Sequence, residues 1–209
     1  MELYFRNKGY YDSVVADSVV FKKKKAKVIY TVQTNEPYRI RNINYSFEDT
    51  SMTDLIINDR SHCLLQNGDL FDVDILSDER ERIAEFARTK GFYYFSKEYI
   101  FYQADSSLNN KLVDIEIIIK KFKQSTQNGG YTEHKHPLTK IRNVYIHTNY
   151  QPKIALGNFA EYASELDTIV SSGIYLVYRD EENIKSTIVT ESNFIQPGDL
   201  FNMTNVSRS

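Results

Sequence analysis

EPYRIRNINYSF (36–47) opens the stretch that decides the fold, residues 36–123. The informative segments that follow it are NGDLFD (67–72), DILSDERERIAEFARTKG (74–91), FYYFSKEYIFYQ (92–103) and NKLVDIEIIIKKF (110–122). Hydrophobic periodicity predicts a strand, a short helix, a longer helix and two strands, in that order. The residues before and after this stretch look like partial copies of the same unit.

The last strand of the unit has the clearest pattern. One face carries only aliphatic residues, Val113, Ile115, Ile117 and Ile119. Such a row needs a cover, and only the two helices of the same unit are close enough in sequence to supply it without a long loop. The predicted fold class is therefore α+β, a two-layer sandwich with a three-stranded mixed sheet under two helices. The strand before it is predicted over Phe92–Gln103.

Polar residues mark where the helices begin. Asp74 or Ser77 is predicted to cap the longer helix, which ends at Gly91. Ser51 with Asp54 resembles a capping box that opens a short helix. In the first strand, Ile40 and Ile43 stand three apart, which indicates either a bulge or a strand that is partly covered on both faces.

The first 35 residues predict a helix end and a hairpin. Gly9 closes the helix, and two strands flank a turn at Lys22–Lys25. This four-lysine tip has two interpretations, a phosphate-binding finger or a solvated hairpin tip that discourages edge pairing. The solvated tip is the favoured interpretation.

Three short motifs recur in the same order. Their pairs are RNKGYY (6–11) with RTKGFY (88–93), IRN (40–42) with IRN (141–143), and GDLF (68–71) with GDLF (198–201). The offsets between partners are 82, 101 and 130 residues. Any one match is weak, but three in register at equivalent points of one unit indicate tandem repeats.

The third copy carries an insertion at about residues 150–180. Within it, Asn158 is predicted to cap a helix whose apolar side runs from Phe159 to Val170. A short strand at Tyr175–Tyr178, a turn at 179–182 and a helical stretch at 184–191 follow. The domain prediction is a partial module at 1–35, a complete module at 36–123, a linker at 124–137 and a partial module at 138–209.

Composition excludes some classes of function. The 209 residues include 26 basic and 28 acidic side chains, for a net charge of −2, which gives no global attraction to nucleic acid or anionic membranes. A single cysteine, Cys63, excludes an internal disulfide and multi-cysteine metal sites. No apolar run is long enough for a membrane span. Met1 stands directly before a predicted helix end, so we expect the chain to be a fragment of a longer protein.

The order β-α-α-β-β with GDLF between the helices and K-G-[FY]-Y after the second helix resembles POTRA domains. These are the periplasmic modules that precede the membrane barrel in the BamA/TamA family of outer-membrane assembly factors. The resemblance covers nearly the whole chain, although the long insertion departs from the plain pattern. LVYRD (176–180) and FIQPGDLF (194–201) look most like the TamA-like members found in Bacteroidetes. The resemblance implies unfolded outer-membrane proteins or accessory assembly proteins as partners, and a barrel in cis.

No catalytic constellation is recognisable, so we predict a protein that is not an enzyme and has no cofactor or small-molecule substrate. Asp69, Asp72 and Asp74 could suggest a calcium loop, but they lack the required spacing, and a turn followed by a helix cap explains them better. His134 and His136 could contribute to a metal site but are interpreted as surface residues of the linker. The predicted metal set is empty.

The functional prediction is a strand-binding edge. A sheet border offers unpaired N–H and C=O groups to an extended chain, and the family resemblance implies that client strands are held this way. The candidate residues, all on the strand predicted at 92–103, are Tyr93, Tyr94, Lys97, Tyr99, Phe101 and Tyr102. The alternative is that the tyrosines only pack on the helices or on the next domain.

Two rival functions remain open. Aromatic strands with basic neighbours, such as Tyr38 with Arg39, can stack nucleic-acid bases, but the pI near 6.1 and the absence of an RNA-binding signature argue against it. The other rival is the POTRA region of a two-partner-secretion-type transporter.

Overall fold

The structure of the chain, a computed structural model, describes residues 1–107, 110–179 and 185–209. It divides into two compact units, one formed by residues 1–85 with 95–136 and the other by residues 86–94 with 137–209. The α+β class predicted from the sequence is confirmed. Each unit holds one three-stranded mixed sheet.

The first unit begins with the predicted helix end and hairpin. Helix α1 (Glu2–Asn7) ends at Gly9, whose φ of +88° is the left-handed conformation that glycine adopts without strain. Strands β1 (Val14–Lys22) and β2 (Lys25–Gln33) pair antiparallel, so the lysine tip lies at the turn.

The central module has the predicted order of elements. Its elements are β3 (Arg39–Phe47), α2 (Thr53–Asn58), α3 (Val73–Thr89), β4 (Ile100–Asp105) and β5 (Leu112–Ile119). Strand β5 lies in the middle of the sheet, parallel to β3 and antiparallel to β4. The register of β3 shifts between Ile40 and Asn42, which identifies the three-residue spacing as a bulge.

The core of the module lies between β5 and the helices. Val113 and the three isoleucines that follow it on the same face are at most 2% exposed. The buried side of the helices faces the same core through Ile56, Ile83 and Ala84. Alternation along β5 therefore predicted the buried face correctly.

Three local predictions in this module are wrong. Strand β4 begins at Ile100 rather than Phe92, because Phe92 and Phe95 are buried in a turn and a loop and Lys97–Tyr99 form a short 3₁₀ helix. Asp72, not Asp74 or Ser77, caps α3 by accepting a hydrogen bond from the Asp74 N–H, 2.9 Å away.

The start of the short helix is also capped differently. A 3₁₀ turn (Thr50–Met52) precedes α2, and Asp49 caps it by accepting a hydrogen bond from the Ser51 N–H. The predicted capping box of Ser51 with Asp54 is therefore wrong.

The stretch predicted as a linker contains a second hairpin. Strands β6 (Phe122–Ser125) and β7 (Tyr131–His134) pair antiparallel. His134 is exposed, as expected for a surface residue, but His136 is buried, so its interpretation as a surface residue is wrong.

The second unit contains the third copy. Its elements are β8 (Val144–His147), α4 (Pro152–Gly157), α5 (Phe159–Ser164), β9 (Leu166–Ser171), β10 (Ile174–Arg179), α6 (Ser186–Ser192) and α7 (Met203–Arg208). Strand β10 lies between β8, to which it is parallel, and β9, to which it is antiparallel. The predicted turn at 179–182 falls largely outside the described residues.

One helix of the insertion was predicted too long. The Asn158 cap is confirmed, since its side chain accepts a hydrogen bond from the Glu161 N–H, but the helix ends at Ser164. Leu166–Ser171 is a strand because Thr168, Ile169 and Val170 are β-branched and pair with β10.

The recurring motifs meet in space, once in each unit. In the first unit, Tyr38 donates its N–H to the Gly9 carbonyl at 2.8 Å, and Phe71 donates its N–H to the Tyr38 carbonyl at 2.9 Å. In the second unit, the Thr139 N–H and the Gly91 carbonyl form the same bond, at 2.9 Å. We call these clusters the first joint (6–11, 38–42, 68–71) and the second joint (88–93, 139–143, 198–201).

Candidate strand-binding edge

The outer edge of β4 has a defined set of main-chain groups. The Lys120 N–H donates to the Tyr99 carbonyl at 2.8 Å, which makes these two residues a hydrogen-bonded pair across the antiparallel ladder. Paired and unpaired residues alternate, so Phe101 and Gln103 also direct their main-chain groups to β5. The N–H and C=O groups of Ile100, Tyr102 and Ala104 therefore point to the outer edge. No described strand pairs with that edge.

The two candidate residues on this strand differ in exposure. Phe101 is 50% exposed. Tyr102 is half-buried and donates its hydroxyl to the Leu76 carbonyl at 2.9 Å. Burial raises the pKa of Tyr102 above its ordinary value, so this hydroxyl stays protonated. Phe101 is therefore available for contact, whereas the Tyr102 ring holds the strand against α3.

A groove of about 440 Å³ borders the open face of the strand. Its walls are formed by Glu48, Glu98, Tyr99, Phe101, Lys120, Lys123 and Glu133. The Lys120 ammonium lies 5.8 Å from the centre of the Phe101 ring and 2.5 Å from a Glu48 carboxylate oxygen. The groove therefore offers the apolar Phe101 ring next to a positive charge on Lys120 and a negative charge on Glu48. Apolar, acidic and basic side chains of a bound segment could each find a favourable contact there.

The other four candidate residues lie before the strand. Lys97 forms an ion pair with Glu81 at 3.2 Å, and Tyr99 packs edge-on against His136 with ring centres 4.6 Å apart. Tyr93 and Tyr94 lie in a turn, and the Tyr93 ring lies 4.8 Å from that of Phe201. Tyr99 and Tyr93 thus have packing roles.

A buried Asp49–His136 pair was missed by the sequence analysis. Both side chains are inaccessible to solvent, and one Asp49 carboxylate oxygen accepts hydrogen bonds from the His136 main-chain N–H at 2.5 Å and from its Nδ1 at 2.8 Å. Burial lowers the pKa of His136, so the ring is neutral at pH 7. The partners are 87 residues apart, so no local sequence signal could have found them.

Asp49 stays ionised in this setting. Burial alone would raise its pKa, but hydrogen bonds from Ser51 and His136 outweigh that effect and hold the pKa below its ordinary value. The pair fixes the end of the β6–β7 hairpin segment to the helix side of the module, next to Phe95 and Tyr99.

The potential metal ligands of the described residues do not cluster. Among them, no three His, Cys, Asp or Glu side chains lie close enough together to hold a metal ion. The suspected calcium loop serves as a turn and a cap, since Asp69 accepts a hydrogen bond from the Gln66 N–H and Asp72 caps α3. None of the described helices is long and apolar enough to cross a membrane.

Comparison with known proteins gives matches only among solved structures. No protein-family model matches the sequence, and no curated protein does. The chain is similar to the crystal structure of Haemophilus influenzae BamA POTRA3-5, at a TM-score of 0.42 and 14% identity over 85% of this chain and 76% of that one.

Two further structures show weaker similarity. The first is BamA from Haemophilus ducreyi lacking POTRA domains 1–3, with a TM-score of 0.39 and 20% identity over 58% of this chain and 21% of that one. The second is the N-terminal domain of Omp85 from the cyanobacterium Thermosynechococcus elongatus, with a TM-score of 0.31 and 13% identity over 98% of this chain and 64% of that one.

Proposed function

We propose that the chain is a non-catalytic, periplasmic part of an outer-membrane protein assembly or translocation factor. In this role the outer edge of β4 holds an extended client or partner strand by adding it to the sheet. The observation that carries the proposal is the row of outward main-chain groups at Ile100, Tyr102 and Ala104, which no described strand satisfies.

Side chains beside the edge support the same role. Phe101 and the neighbouring groove offer an apolar contact with flanking Lys120 and Glu48. Main-chain hydrogen bonds give such a site affinity for many sequences, and the groove adds a preference at alternate positions. The motif resemblance to POTRA domains supports an assembly factor, either TamA-like or, as the alternative, a two-partner-secretion-type transporter.

The test is a peptide titration followed by NMR. A peptide taken from a strand of an outer-membrane barrel protein should shift the amide signals of Ile100, Tyr102 and Ala104 and slow their hydrogen exchange. Ala104→Pro removes one outward N–H from an exposed site and should weaken binding about tenfold, the value of one hydrogen bond. Ala104→Val keeps the N–H and serves as the matched control. Shifts confined to α2 and α3 would contradict the proposal.

A further inference from the structure

The outer edge of β3 is the other border of the central sheet. The Glu48 N–H donates to the Ile119 carbonyl of β5 at 2.9 Å. Main-chain groups alternate sides along a strand, so Asn44 and Ser46 also face β5. The N–H and C=O groups of Ile43, Tyr45 and Phe47 therefore face outward, and no described strand pairs with them.

The third copy has a strand on the corresponding edge. Strand β8 is the counterpart of β3, since the IRN motifs at 40–42 and 141–143 differ by 101 residues. The Thr148 N–H donates to the Val177 carbonyl of β10 at 3.1 Å, so Ile146 and Val144 face β10 as well. The counterparts of these three residues are Phe47, Tyr45 and Ile43.

The burial pattern supports this alignment. Ile141, Val144 and Ile146 are partly buried and the residues between them are exposed. In β3 the covered residues are Ile40, Ile43 and Tyr45, which are likewise separated by an interval of three residues and then one of two. The burial spacing of the third copy therefore matches the spacing that the bulge produces in β3.

The GDLF turn gives an independent check of which edge is used. In the central module, Arg39 pairs with Leu112 of β5 on one side and bridges Leu70 of the turn on the other. In the third copy, Gly173, which immediately precedes β10, lies beside Pro197 of the turn, with 3.7 Å from its Cβ position to the proline Cγ.

The short distance from Gly173 to Pro197 indicates on which edge of β8 the strand β10 lies. Two strands on opposite edges of a third lie about 9.5 Å apart, which two small side-chain positions cannot span at van der Waals contact. Strand β10 therefore lies on the turn side of β8, whereas β5 lies on the side of β3 away from the turn.

We propose that the outer edge of β3 is a second strand-accepting surface, which binds an extended segment of another protein in the parallel direction. Strand β10 shows the chemistry of a fitting occupant. Its Ile174 and Leu176 are buried on the helix side, while Tyr175 stacks on Tyr145 at 4.8 Å on the open side. A foreign segment should likewise place aliphatic residues on alternate positions.

The central module has space beside this edge for the side chains of such a segment. A groove of about 300 Å³ is lined by Ile43 and Tyr45 of β3 together with Arg60 and Leu65. The Arg60 guanidinium lies 5.8 Å from the centre of the Tyr45 ring, which in turn stacks on Phe47 at 6.3 Å. This surface is separate from the β4 edge and does not depend on the function proposed for it.

The experiment uses the full 209-residue chain, isotopically labelled, and a synthetic peptide with the sequence GIYLVYR of residues 173–179. Binding should slow hydrogen exchange at the amides of Ile43, Tyr45 and Phe47. A nitroxide on the peptide N-terminus should broaden signals near Ile43, and one on the C-terminus should broaden signals near Phe47. The opposite pattern of broadening would mean antiparallel binding and would overturn the proposal.

A pair of variants isolates the main-chain contribution. Tyr45→Pro removes an outward N–H, which edge strands tolerate, and should weaken the peptide about tenfold. Tyr45→Val loses the same ring but keeps the N–H, and should bind within about twofold of the unchanged chain. Equal affinity of the two variants would overturn the proposal.

Two other outcomes would also overturn it. One is slowed exchange at Tyr102 and Ala104 alone, which would place the peptide on the β4 edge and leave the proposal for that edge intact. The other is self-association of the chain without peptide, with doubled mass in sedimentation and protection at Ile43, Tyr45 and Phe47, which would make a second copy the occupant.

Discussion

The two joints share a main-chain scheme but differ in the side chains that support it. In the first joint, Ile40 exchanges hydrogen bonds with Gly68 and Asp69 at 2.7 and 2.8 Å. In the second joint, Ile141 makes the corresponding bonds to Gly198 and Asp199 at the same two distances. The motifs that recur in the sequence are thus the ones that build this main-chain geometry.

The two joints differ in their charged side-chain contacts. Lys8 of the first joint forms ion pairs with Asp72 and Asp74, which lie just after the GDLF motif, each at 2.8 Å. The corresponding residues at and after the second joint are Lys90, Asn202 and Thr204, and the Lys90 ammonium lies over the Phe86 ring instead. Main-chain bonds therefore set the shape of both joints, while the lysine–carboxylate contact of the first joint is replaced at the corresponding positions of the second by Asn202 and Thr204. Substitutions can test each part.

The largest effect is expected at the glycines. An L-residue at the φ of Gly9 (+88°) or Gly91 (+98°) costs about 1–2 kcal/mol. A Cβ on Gly9 would also lie 3.2 Å from two carbonyl oxygens, of Phe71 and Tyr38, whereas on Gly91 it would meet the movable Leu138 side chain at 3.1 Å. We expect Gly9→Ala to destabilise its unit by about 2–3 kcal/mol and Gly91→Ala by about 1–2 kcal/mol, measured by urea unfolding with residue-resolved hydrogen exchange.

Gly68→Ala is the control for the conformational part of that loss. Gly68 has a φ of +94° and no atom within 4 Å of its Cβ position. It should therefore show the cost of positive φ alone. A loss at Gly9 no larger than the loss at Gly68 would show that the first joint is looser than its main-chain hydrogen bonds indicate.

The helix caps come next in size. Asp72 caps α3, and Asn202 caps α7 by accepting hydrogen bonds from the Thr204 and Asn205 N–H groups. Truncation to alanine should cost about 1 kcal/mol at either position. Asp72→Asn keeps a capping oxygen and removes only the charge, so it should cost less than Asp72→Ala, as measured by urea unfolding. Equal losses for the two Asp72 variants would assign the stabilisation to the ion pair rather than the cap.

The joints also show which features of the fold could be predicted from the sequence. The module order was predictable because aliphatic residues stand at every second position from Val113 to Ile119 and Gly91 marks a helix end, both of which are local signals. The Lys8–Asp72 contact spans 64 residues and was invisible to those signals. The sequence repeats indicated which motifs are structurally important, but they did not predict that the motifs of one unit contact one another.

The candidate site was predictable to a similar degree. An edge strand follows from the order of elements, and the structure places one at β4. Its first residue did not follow, because Phe92 and Phe95 are apolar like strand residues yet are buried in a turn and a loop. The strand at 166–171 was missed because its apolar spacing also fits a helix, and only pairing with β10 decides between the two.

The smallest effect is expected from the charge difference, and pH reveals it. Burial alone would raise the pKa of Asp72, but the Lys8 ammonium and the Asp74 N–H outweigh it and hold the pKa below the ordinary 3.8. A lowered carboxyl pKa stabilises the fold above the unfolded value, and this stabilisation is lost as the pH falls through the folded value. Lys8→Met removes the contribution of the lysine, so the unfolding free energy should fall less steeply below pH 3.8 than in the unchanged chain.

Lys90→Met is the matched control, because the second joint has Asn202 where the first has a carboxylate. Lys90→Met should leave the loss of unfolding free energy at acidic pH unchanged. Asn202→Asp should add a further loss at acidic pH, and this added loss should disappear when Lys90 is also replaced. Unfolding curves collected from pH 2 to 5 with and without about 1 M salt measure both, since salt partly screens the Lys8 pairs, which are not fully buried, and should reduce their contribution. If Lys8→Met and Lys90→Met changed the unfolding free energy at acidic pH equally, the two joints would not differ in their dependence on charge. Their shared main-chain hydrogen bonds would then be sufficient to describe both.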